Sequence, residues 1–460
     1  MHADTIAAIA TSVGEAGIGI VRVSGPASVQ IAQAVFRNFT GEAVSVFSAR
    51  KMMYGKVLDP AKGDLIDEAL VVFMPAPHSY TCEDVVEFQT HGGTRVLQVL
   101  LRVVLQNGAR LAQPGEFTQR AFLNGRIDLA QAEAVMDIIK AKTDASLKVA
   151  SRHLSGEFSR RISLIRRQLL EFLTGMEASL DFPEDDIPLI DSNFAIQEIS
   201  RIRALILELL STARTGMIMR DGLQTVIVGR PNVGKSSLLN AFLGTERALV
   251  TEIPGTTRDS IEELMNLRGI PLRIVDTAGL RETEDIVERM GIQRTKDAVA
   301  SAALVLYLLD ASEPLASEDM KLLTSLAEVP VIVVINKTDL PGQLDLAQLS
   351  QFCRNHSIIH ISAKEKTGLT ELADAIEALV FNGNIHLSEE TYVDNIRHEE
   401  SLRLACDNLD AAIASLVSGM SLDCACIDLR LALESLGQIT GETVSDEVVR
   451  EIFAKFCLGK

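Results

Sequence analysis

One octapeptide, Gly229–Ser236, constrains the fold more than any other feature, because it fits the pattern G-x-x-x-x-G-K-S of a phosphate-binding loop. It follows a predicted strand, Thr225–Val228, and opens a predicted helix, Ser237–Leu243, which is the context that the motif requires. Its glycines let backbone N–H groups surround an anion, and the helix N-terminus stabilises negative charge. We predict that Lys235 reaches the outer phosphates and that Ser236 ligates Mg²⁺.

The residues around this loop predict a doubly wound parallel sheet. Short runs rich in Val, Ile and Leu recur, most of them separated by helical stretches, as in strands that are buried on both faces. The predicted strands are Thr225–Val228, Leu272–Val275, Leu304–Leu309, Val331–Ile335 and Ile358–Ile361. The fold class expected for residues 219–380 is therefore a Ras-like, α/β P-loop GTPase module.

Two short motifs follow the last two of these strands and predict a guanine site. They are Asn336-Lys337-Thr338-Asp339 and Ser362-Ala363-Lys364. Asp339 could accept two N–H bonds from the edge of guanine, and adenine lacks that donor arrangement, so the base would be discriminated strongly. The second motif would form another wall of the base site, through a backbone N–H.

Two further motifs predict contacts with the magnesium ion and the γ-phosphate. Asp276-Thr277-Ala278-Gly279 ends a predicted strand, where a carboxylate can hold the magnesium shell and a glycine N–H can sense the γ-phosphate. Thr256 and Thr257 lie between this motif and the phosphate loop, and one threonine hydroxyl could complete the magnesium shell. The residues expected to contact GTP are Asn232, Val233, Gly234, Lys235, Ser236, Ser237, Thr251, Thr256, Thr257, Asp276, Thr277, Ala278, Gly279, Asn336, Lys337, Asp339, Ser362, Ala363 and Lys364.

The group that orients the attacking water is not evident from these motifs. Ras-like proteins place a Gln directly after the Asp-x-x-Gly motif. Here that position is Leu280, whose apolar side chain cannot orient water. The residues alone leave four candidates open, which are Glu282, Glu284, Asp285 and Glu288.

The rest of the chain predicts an α/β domain and a helical domain that the GTPase module interrupts. The predicted domains are residues 1–118 (α/β), 119–218 (first helical part), 219–380 (inserted GTPase module) and 381–460 (second helical part). Insertion of one domain into another occurs at exposed loops, which makes this order physically reasonable.

Charge and cysteine content limit the function classes. The formal net charge is −18, so wrapping of a nucleic acid by the whole protein is not expected. A local basic strip contains Arg160, Arg161, Arg166 and Arg167, and either a solvated helix face, the commoner case, or an RNA contact stays open. Six scattered cysteines, no membrane-length apolar run and no basic signal region predict a cytoplasmic protein.

At this point the chain resembles the MnmE (TrmE) family of tRNA-modification GTPases over essentially its full length. The nucleotide motifs alone would fit many GTPases. The segment Pro114–Asn124 and the terminal Phe456-Cys457-Leu458-Gly459-Lys460 are what single out this family. Other segments that carry the resemblance are Gly229–Ser236, Gly255–Asp259, Asp276–Glu282 and Leu129–Glu133.

The resemblance implies that potassium activates GTP hydrolysis when two GTPase modules dimerise, without an arginine finger. The implied potassium ligands are Asn232, Thr251, Ile253 and Thr256, and the implied magnesium ligands are Ser236 and Thr257. The resemblance also assigns the orientation of the water to Glu288. A monovalent cation near the β- and γ-phosphates would supply the positive charge that an arginine finger supplies elsewhere.

The resemblance further implies that the N-terminal domain binds a tetrahydrofolate derivative, in the 5,10-methylene or the 5-formyl form. The positions that match the family's folate contacts are Arg22, Glu87, Arg126 and Lys460. The family can carry Lys where this chain has Arg126, and the two side chains differ in geometry.

The implied reaction modifies carbon 5 of the wobble uridine of certain tRNAs. It requires a flavoprotein partner, MnmG (GidA), which forms a heterotetramer with a homodimer of this protein. In this family Cys457 is associated with the modification, and here the tail reads Cys-Leu-Gly-Lys where the family typically has Cys-Ile-Gly-Lys.

Two other classes of function stay open. The first is an RNA-binding regulatory switch GTPase in ribosome assembly, and the second is a structural adaptor that uses GTP only to dimerise. Folate binding at Arg22 and Glu87 would count against both, whereas GTP hydrolysis would not exclude the first.

Overall fold

The computed structural model describes residues 4–12, 14–181, 190–245, 262–275, 302–326, 329–353, 356–381, 392–457 and 459. These residues form two compact units. Unit 1 comprises Met1–Met136, His153–Leu170 and Arg430–Lys460, and unit 2 comprises Asp137–Arg152 and Glu171–Leu429. The ranges of the four domains stated above stay predictions.

The elements up to residue 181 begin with a strand-rich region and end with long helices. The strands are β1 Ile6–Ile9, β2 Ala16–Ser24, β3 Phe36–Asn38, β4 Met52–Leu58, β5 Leu65–Met74, β6 Val85–Gly92 and β7 Arg110–Leu111. The helices are α1 Ser28–Val35, α2 Thr94–Gln106, α3 Glu116–Leu123, α4 Leu129–Lys140, α5 Asp144–Leu154 and α6 Glu157–Asp181.

The elements after residue 190 contain the predicted doubly wound sheet and further helices. The strands are β8 Leu223–Val228, β9 Glu262–Leu267, β10 Ile270–Val275, β11 Leu304–Asp310, β12 Val331–Asn336 and β13 Ser357–His360. The helices are α7 Ser192–Ser211, α8 Ala213–Asp221, α9 Lys235–Thr245, α10 Ser317–Ser325, α11 Leu346–Phe352, α12 Leu369–Phe381, α13 Ile396–Val417, α14 Leu422–Thr440 and α15 Asp446–Ala454.

Unit 1 contains a seven-stranded sheet in the order β3-β4-β5-β6-β2-β1-β7. Its pairs are antiparallel except for the short parallel pair β1–β7. Val21 and Phe88 point to one face and are fully buried with Leu100 of α2. Because side chains alternate along a strand, their neighbours Arg22 and Glu87 lie on the other face, which is where the candidate folate residues are found.

Unit 2 contains a six-stranded sheet in the order β13-β12-β11-β8-β10-β9. The pairs are parallel except β9–β10, which is an antiparallel hairpin. Every residue of β11 and β12 is buried, because apolar clusters cover both faces of the sheet. The prediction of a doubly wound sheet is confirmed, and the carboxyl ends of β8, β11 and β12 meet where the nucleotide motifs begin.

The edge strand β9 was not predicted from the sequence. Its segment Glu262–Leu267 mixes charged and apolar residues, so it lacks the continuous apolar run used to find the other strands. A turn signal was nevertheless present, since Arg268 (φ 50°) and Gly269 (φ 92°) form the two-residue connection to β10.

The sequence predicted no membrane-spanning segment and a reducing environment for the cysteines, and two features of the described residues bear on these predictions. No helix among them is both long enough and apolar enough to cross a membrane. The six cysteines lie within the described segments, and all are free thiols.

Candidate functional site: a phosphate loop and an Arg–Glu–Tyr cluster

The phosphate loop connects β8 to α9 and has the backbone geometry of an anion cradle. Gly234 has a φ of 100°, and a Cβ there would lie 2.2 Å from Asn336 Nδ2, so only glycine fits. Asn232 also has a positive φ, 63°, a conformation that Asn tolerates better than most residues. The hydroxyl-bearing residues Ser236 and Ser237 are exposed at the start of α9. The loop therefore presents backbone amides and hydroxyls at a helix N-terminus.

Lys235 lies across this loop. Its Nζ donates hydrogen bonds to the carbonyl oxygens of Gly229 and Arg230, each at 2.8 Å. Burial lowers the pKa of the Lys235 ammonium. A phosphate anion at the loop would stabilise the charged form, so the ammonium is placed to exchange carbonyl contacts for phosphate oxygens.

Asn336 joins the phosphate loop to the predicted base motifs. Its side chain is buried, its Nδ2 donates to the carbonyl of Val233 at 2.9 Å, and its Oδ1 accepts from the N–H of Ala363 at 3.0 Å. One side chain at the end of β12 therefore holds together three loops that are far apart in sequence. This explains why an amide, with both a donor and an acceptor, is needed at this position.

Lys337 is held against the end of the neighbouring strand. It has a φ of 62°, and its Nζ lies 2.6 Å from Asp310 Oδ2 at the end of β11. Burial works to raise the pKa of Asp310, but hydrogen bonds from Lys337 and Ser312 outweigh it and hold that pKa below its ordinary value. The ion pair fixes the lysine stem beside the place where a base would lie.

Asp339 is exposed at the same edge of the sheet. Its Oδ1 accepts a hydrogen bond from Ser362 Oγ at 2.6 Å, and this bond lowers the pKa of Asp339. The Ser362 hydroxyl also accepts from the N–H of Glu365 at 3.1 Å. The carboxylate is thus ionised and oriented by the second motif, as an acceptor of guanine N–H groups must be.

Several predicted site residues lie outside the described residues. They are Thr251, Ile253, Thr256, Thr257, Asp276, Thr277, Ala278, Gly279, Glu288 and Lys460, together with the alternative water-orienting residues Glu282, Glu284 and Asp285. The remaining predicted nucleotide residues all lie in the phosphate loop or at the carboxyl ends of β12 and β13. Lys364 is exposed there, with its Nζ 3.9 Å from Glu365 Oε1.

A second cluster lies in unit 1, on β2 and β6. Arg22 and Glu87 are direct cross-strand partners, and Arg22 Nε donates to Glu87 Oε1 at 2.8 Å. Both side chains are mostly buried, with 16% and 15% of their surface exposed. A half-buried ion pair of this kind offers a carboxylate and a guanidinium side by side to a polar ligand.

Tyr80 brings the third predicted residue into the same cluster. The guanidinium of Arg22 lies 5.4 Å from the centre of the Tyr80 ring, and that of Arg126 lies 4.8 Å from it. Arg126 also donates to the Tyr80 carbonyl at 2.8 Å, and Arg22 lies 5.5 Å from the centre of the Phe117 ring. Arg22 and Arg126 therefore both lie near one aromatic ring, and Glu87 is connected to it through Arg22. This ring was not predicted from the sequence.

The cysteine-bearing tail lies beside the same sheet. The N–H of Gly115 donates to the carbonyl of Cys457 at 3.4 Å, and Cys457 is exposed. A Cβ on Gly459 would lie 2.2 Å from the carbonyl oxygen of Ile9, so the tail runs against the end of β1. Since Phe117 follows Gly115 by two residues, the tail and the Arg–Glu–Tyr cluster share helix α3 as a support.

Comparison with known proteins gives matches over nearly the whole chain. A family model described as "GTP-binding protein TrmE N-terminus" matches residues 5–126, and one described as "MnmE helical domain" matches residues 129–457. The protein belongs to the MnmE family. The predicted family, fold class and enzyme class are confirmed, and this MnmE-family chain is a GTPase.

Curated relatives named tRNA modification GTPase MnmE match from end to end. The relative from Alkaliphilus oremlandii is 44% identical, and the match covers 99% of each chain. The relative from Geobacillus kaustophilus is 46% identical with 99% of each chain covered. The relative from Heliobacterium modesticaldum is 48% identical with 100% of each chain covered.

A buried network beneath the phosphate loop of this MnmE-family chain was also missed. Asp319 is fully buried, accepts a hydrogen bond from Tyr307 Oη at 2.8 Å and from the N–H of Ala316, and lies 3.1 Å from Arg230 Nε. Burial and the Asp319 carboxylate raise the pKa of Tyr307. The network ties the loop residue Arg230 to α10. In the sequence only an acidic residue in the first turn of a helix marked it.

Proposed function

We propose that this member of the MnmE family is a potassium-activated GTPase that modifies carbon 5 of the wobble uridine of certain tRNAs. It acts with the flavoprotein MnmG (GidA) and takes a one-carbon unit from a tetrahydrofolate derivative. The observation that carries this proposal is the cluster of Arg22, Glu87, Tyr80 and Arg126 beside the cysteine-bearing tail. A protein that only hydrolyses GTP does not need such a cluster.

The phosphate loop fits Mg²⁺ and a monovalent cation. Magnesium prefers hydroxyl and carboxylate oxygens as ligands. Ser236, which is exposed in the first turn of α9, offers such a hydroxyl. Asn232 is also exposed in the loop, and its side-chain amide oxygen is a suitable ligand for K⁺. The ions would supply positive charge where negative charge develops in hydrolysis. Glu288, Thr257 and the other ligands implied by the family remain part of the proposal.

Lys235 is the residue of this chain with the clearest part in hydrolysis. Its ammonium is held by two loop carbonyls at 2.8 Å, so it is aimed into the loop rather than into solvent. Half-burial lowers its pKa, and an adjacent phosphate would stabilise the charged form. Asp339 and Ser362 then select guanine at the other end of the nucleotide.

The cluster in unit 1 fits a folate. The carboxylate of Glu87 can accept N–H bonds from the edge of a pterin ring, and Arg22 holds that carboxylate in place. Tyr80 offers an aromatic face, although two guanidiniums already lie near it. A folate carries carboxylates at its other end, and Arg126, exposed in this structure, is a suitable partner for one of them.

We also propose a role for Cys457 in the same modification. Its thiol is exposed, while Cys353 and Cys406 are buried in apolar surroundings that raise their pKa values. An exposed thiol at the edge of a ligand site can meet a substrate, whereas the buried pair cannot. Lys460 completes the proposed folate contacts.

The proposed assembly is a cytoplasmic homodimer that joins MnmG in a heterotetramer and acts on tRNA. The second candidate function, a regulatory GTPase that binds RNA in ribosome assembly, shares the nucleotide site. The Arg–Glu–Tyr cluster favours the first function, because a regulatory switch has no need of a site for a small polar ligand.

Glu87→Gln tests the proposal, because glutamine keeps an oxygen acceptor for Arg22 and removes the charge. We expect 5-formyltetrahydrofolate to bind roughly 10- to 100-fold more weakly by calorimetry, as expected for one charge-assisted hydrogen bond. GTP turnover should stay unchanged.

Glu68→Gln is the matched control, since Glu68 is exposed on the neighbouring strand β5. Equal folate affinity in the Glu87→Gln variant and the unaltered protein, or no folate binding by either, would remove the modification half of the proposal. In that case the regulatory GTPase would be the better account.

A further inference from the structure

A cleft in unit 1 is lined by the basic strip of helix α6. Its volume is about 670 Å³, and Arg160, Ser163 and Arg167 line it along one face of the helix. Ser155 and Ser159 line it from the α5–α6 connection and the first turn of α6. It belongs neither to the nucleotide site nor to the Arg–Glu–Tyr cluster.

One hydroxyl in this cleft has no hydrogen-bond partner in the part of the chain that the structure describes. Ser159 is 6% exposed, and its Oγ lacks a donor or acceptor partner among the described atoms. Buried hydroxyls are nearly always paired, because leaving one unpaired costs free energy. An unpaired hydroxyl in the wall of a cleft therefore points to a group that binds there.

The other polar groups of the cleft favour an anion. Arg160 and Arg167 are both exposed, and Arg160 Nη1 donates to the carbonyl of Ser155 at 3.0 Å, which steadies its guanidinium. The acidic residue of the lining is Asp128. It accepts a hydrogen bond from the N–H of Gln131 and so caps the N-terminus of α4. Two guanidiniums and three serine residues line the cleft, in a chain whose net charge is −18.

The spacing of the donors favours an extended polyanion over a single small one. Arg160 and Arg167 are seven residues apart on one helix face, so their backbones are separated by about 10.5 Å along the axis. One small anion cannot reach both positions at once, whereas several phosphates along a nucleic-acid strand can. Phosphodiester backbones are commonly contacted by Arg and by Ser or Thr hydroxyls.

The same lining argues against a protein surface as the occupant. Leu164 is the apolar side chain among the cleft residues, and protein interfaces have an apolar or aromatic centre. We propose that this cleft holds the phosphodiester backbone of an RNA, which under the proposed function is the tRNA substrate. Arg160 and Arg167 neutralise phosphates, and Ser159 donates its hydroxyl to a phosphate oxygen. This inference rests on the proposed function and adds a substrate-positioning surface to it.

The test measures binding of an unmodified, transcribed tRNA to the full chain by fluorescence anisotropy between about 50 and 200 mM salt. We expect the double variant Arg160→Gln/Arg167→Gln to raise Kd about tenfold at the lower salt. The slope of log K against log salt should fall by about 1.4 to 1.8, since each lost phosphate contact removes about 0.7 to 0.9. GTP turnover without tRNA should not change.

The chain offers a matched control in Arg95→Gln/Arg102→Gln. These two arginines are exposed on helix α2 of the same unit with the same seven-residue spacing, and neither lines the cleft. The control should bind tRNA as the unaltered protein does. An equal loss in both double variants would mean general charge attraction and would overturn the site.

Ser159→Ala separates binding from folding. The hydroxyl has no partner among the described residues, so its removal should leave Tm unchanged while Kd for tRNA rises about two- to fivefold. A lower Tm with unchanged Kd would show a structural role and contradict the proposal for this residue.

Three further outcomes overturn the inference in different ways. If the Arg160→Gln/Arg167→Gln variant binds tRNA normally but loses the flavoprotein partner, the cleft is a protein interface. If the unaltered protein hydrolyses GTP but does not bind tRNA, the proposed substrate itself is wrong. If tRNA binds equally to all variants, only the cleft is wrong.

Discussion

The nucleotide site and the Arg–Glu–Tyr cluster of this protein are built in different ways. The nucleotide site uses backbone groups and short contiguous motifs at the ends of parallel strands, with Asn336 connecting them. The Arg–Glu–Tyr cluster uses long side chains from two antiparallel strands and two loops, such as Arg22 and Glu87, which are 65 residues apart in sequence. The first arrangement leaves a strong pattern in the sequence, and the second leaves almost none.

This difference predicts different sensitivities. A site made of backbone groups should tolerate many distant substitutions, but it should lose affinity or selectivity when one of the few side chains that contact the ligand changes. A site made of side chains should depend on the buried polar contacts that hold its supports. In unit 1 that support is α3, whose Arg120 is fully buried and pairs with Glu83, Glu116 and Asp4.

Of the changes proposed here, Arg120→Ala should have the largest effect, and it should act on unit 1 rather than on the nucleotide site. It leaves Glu83 buried without its cation and removes one of the two arginines that pair with Glu116, which costs about 3–5 kcal/mol of the free energy of unfolding. Chemical denaturation should show the loss in unit 1, and folate binding should weaken. Binding of GTP should persist under conditions in which unit 2 is folded.

Arg201→Ala is the control for Arg120→Ala. It removes an exposed ion pair with Glu198 on α7 in unit 2, which contributes about 0.5 kcal/mol or less. Comparable losses in the two variants would mean that the buried cluster does not support unit 1 as described.

Asp339→Asn should have the next largest effect, confined to the nucleotide site. An asparagine presents an N–H donor where guanine presents donors, so kcat/KM for GTP should fall roughly 100-fold or more. Turnover of xanthosine triphosphate, which carries an oxygen at that edge, should rise. Folate affinity should not change.

Glu365→Gln, an exposed change in the same loop, should leave the base preference intact. If Asp339→Asn retained the original preference for GTP, the base would be selected by groups other than this carboxylate.

Acid should have a smaller effect, and it should act on unit 1 through Glu116. Burial works to raise the pKa of Glu116, but hydrogen bonds from Arg110, the Gln113 N–H and Arg120 outweigh it and hold the pKa below its ordinary value of 4.5. Because the folded-state pKa is the lower one, the stabilisation is complete above about pH 4.5 and is lost as pH falls through the folded value.

Denaturation midpoints followed by circular dichroism between neutral pH and pH 3 would measure this effect. In Glu116→Gln the fall in stability with acid should be shallower, from a lower starting value. An unchanged slope would assign the acid sensitivity to other carboxyl groups.

The sequence predicted the second sheet well because its strands are buried on both faces. Buried parallel strands need nearly continuous apolar residues, and β8, β10, β11, β12 and β13 all fall on the predicted runs. The edge strand β9 was not predicted, because a strand with a neighbour on one side only can carry polar residues and lacks a continuous apolar run.

Side-chain networks could not be predicted in the same way. Nothing local marks Tyr80 as the ring between Arg22 and Arg126, and nothing marks Ser159 as unpaired. Such relations depend on register and on tertiary contacts across long sequence separations. For Arg22, Glu87 and Arg126 the family resemblance supplied the residues, and the structure then placed them together.

The most direct test of the central claim, a potassium-activated GTPase, is GTP turnover in potassium and in sodium at equal ionic strength. The unaltered protein should be at least tenfold faster in potassium, about 1.4 kcal/mol of barrier. Asn232→Ala should lose that advantage, and Asn240→Ala, an exposed change on α9, should keep it. Equal rates in the two salts, or a potassium advantage that survives in Asn232→Ala, would contradict the account.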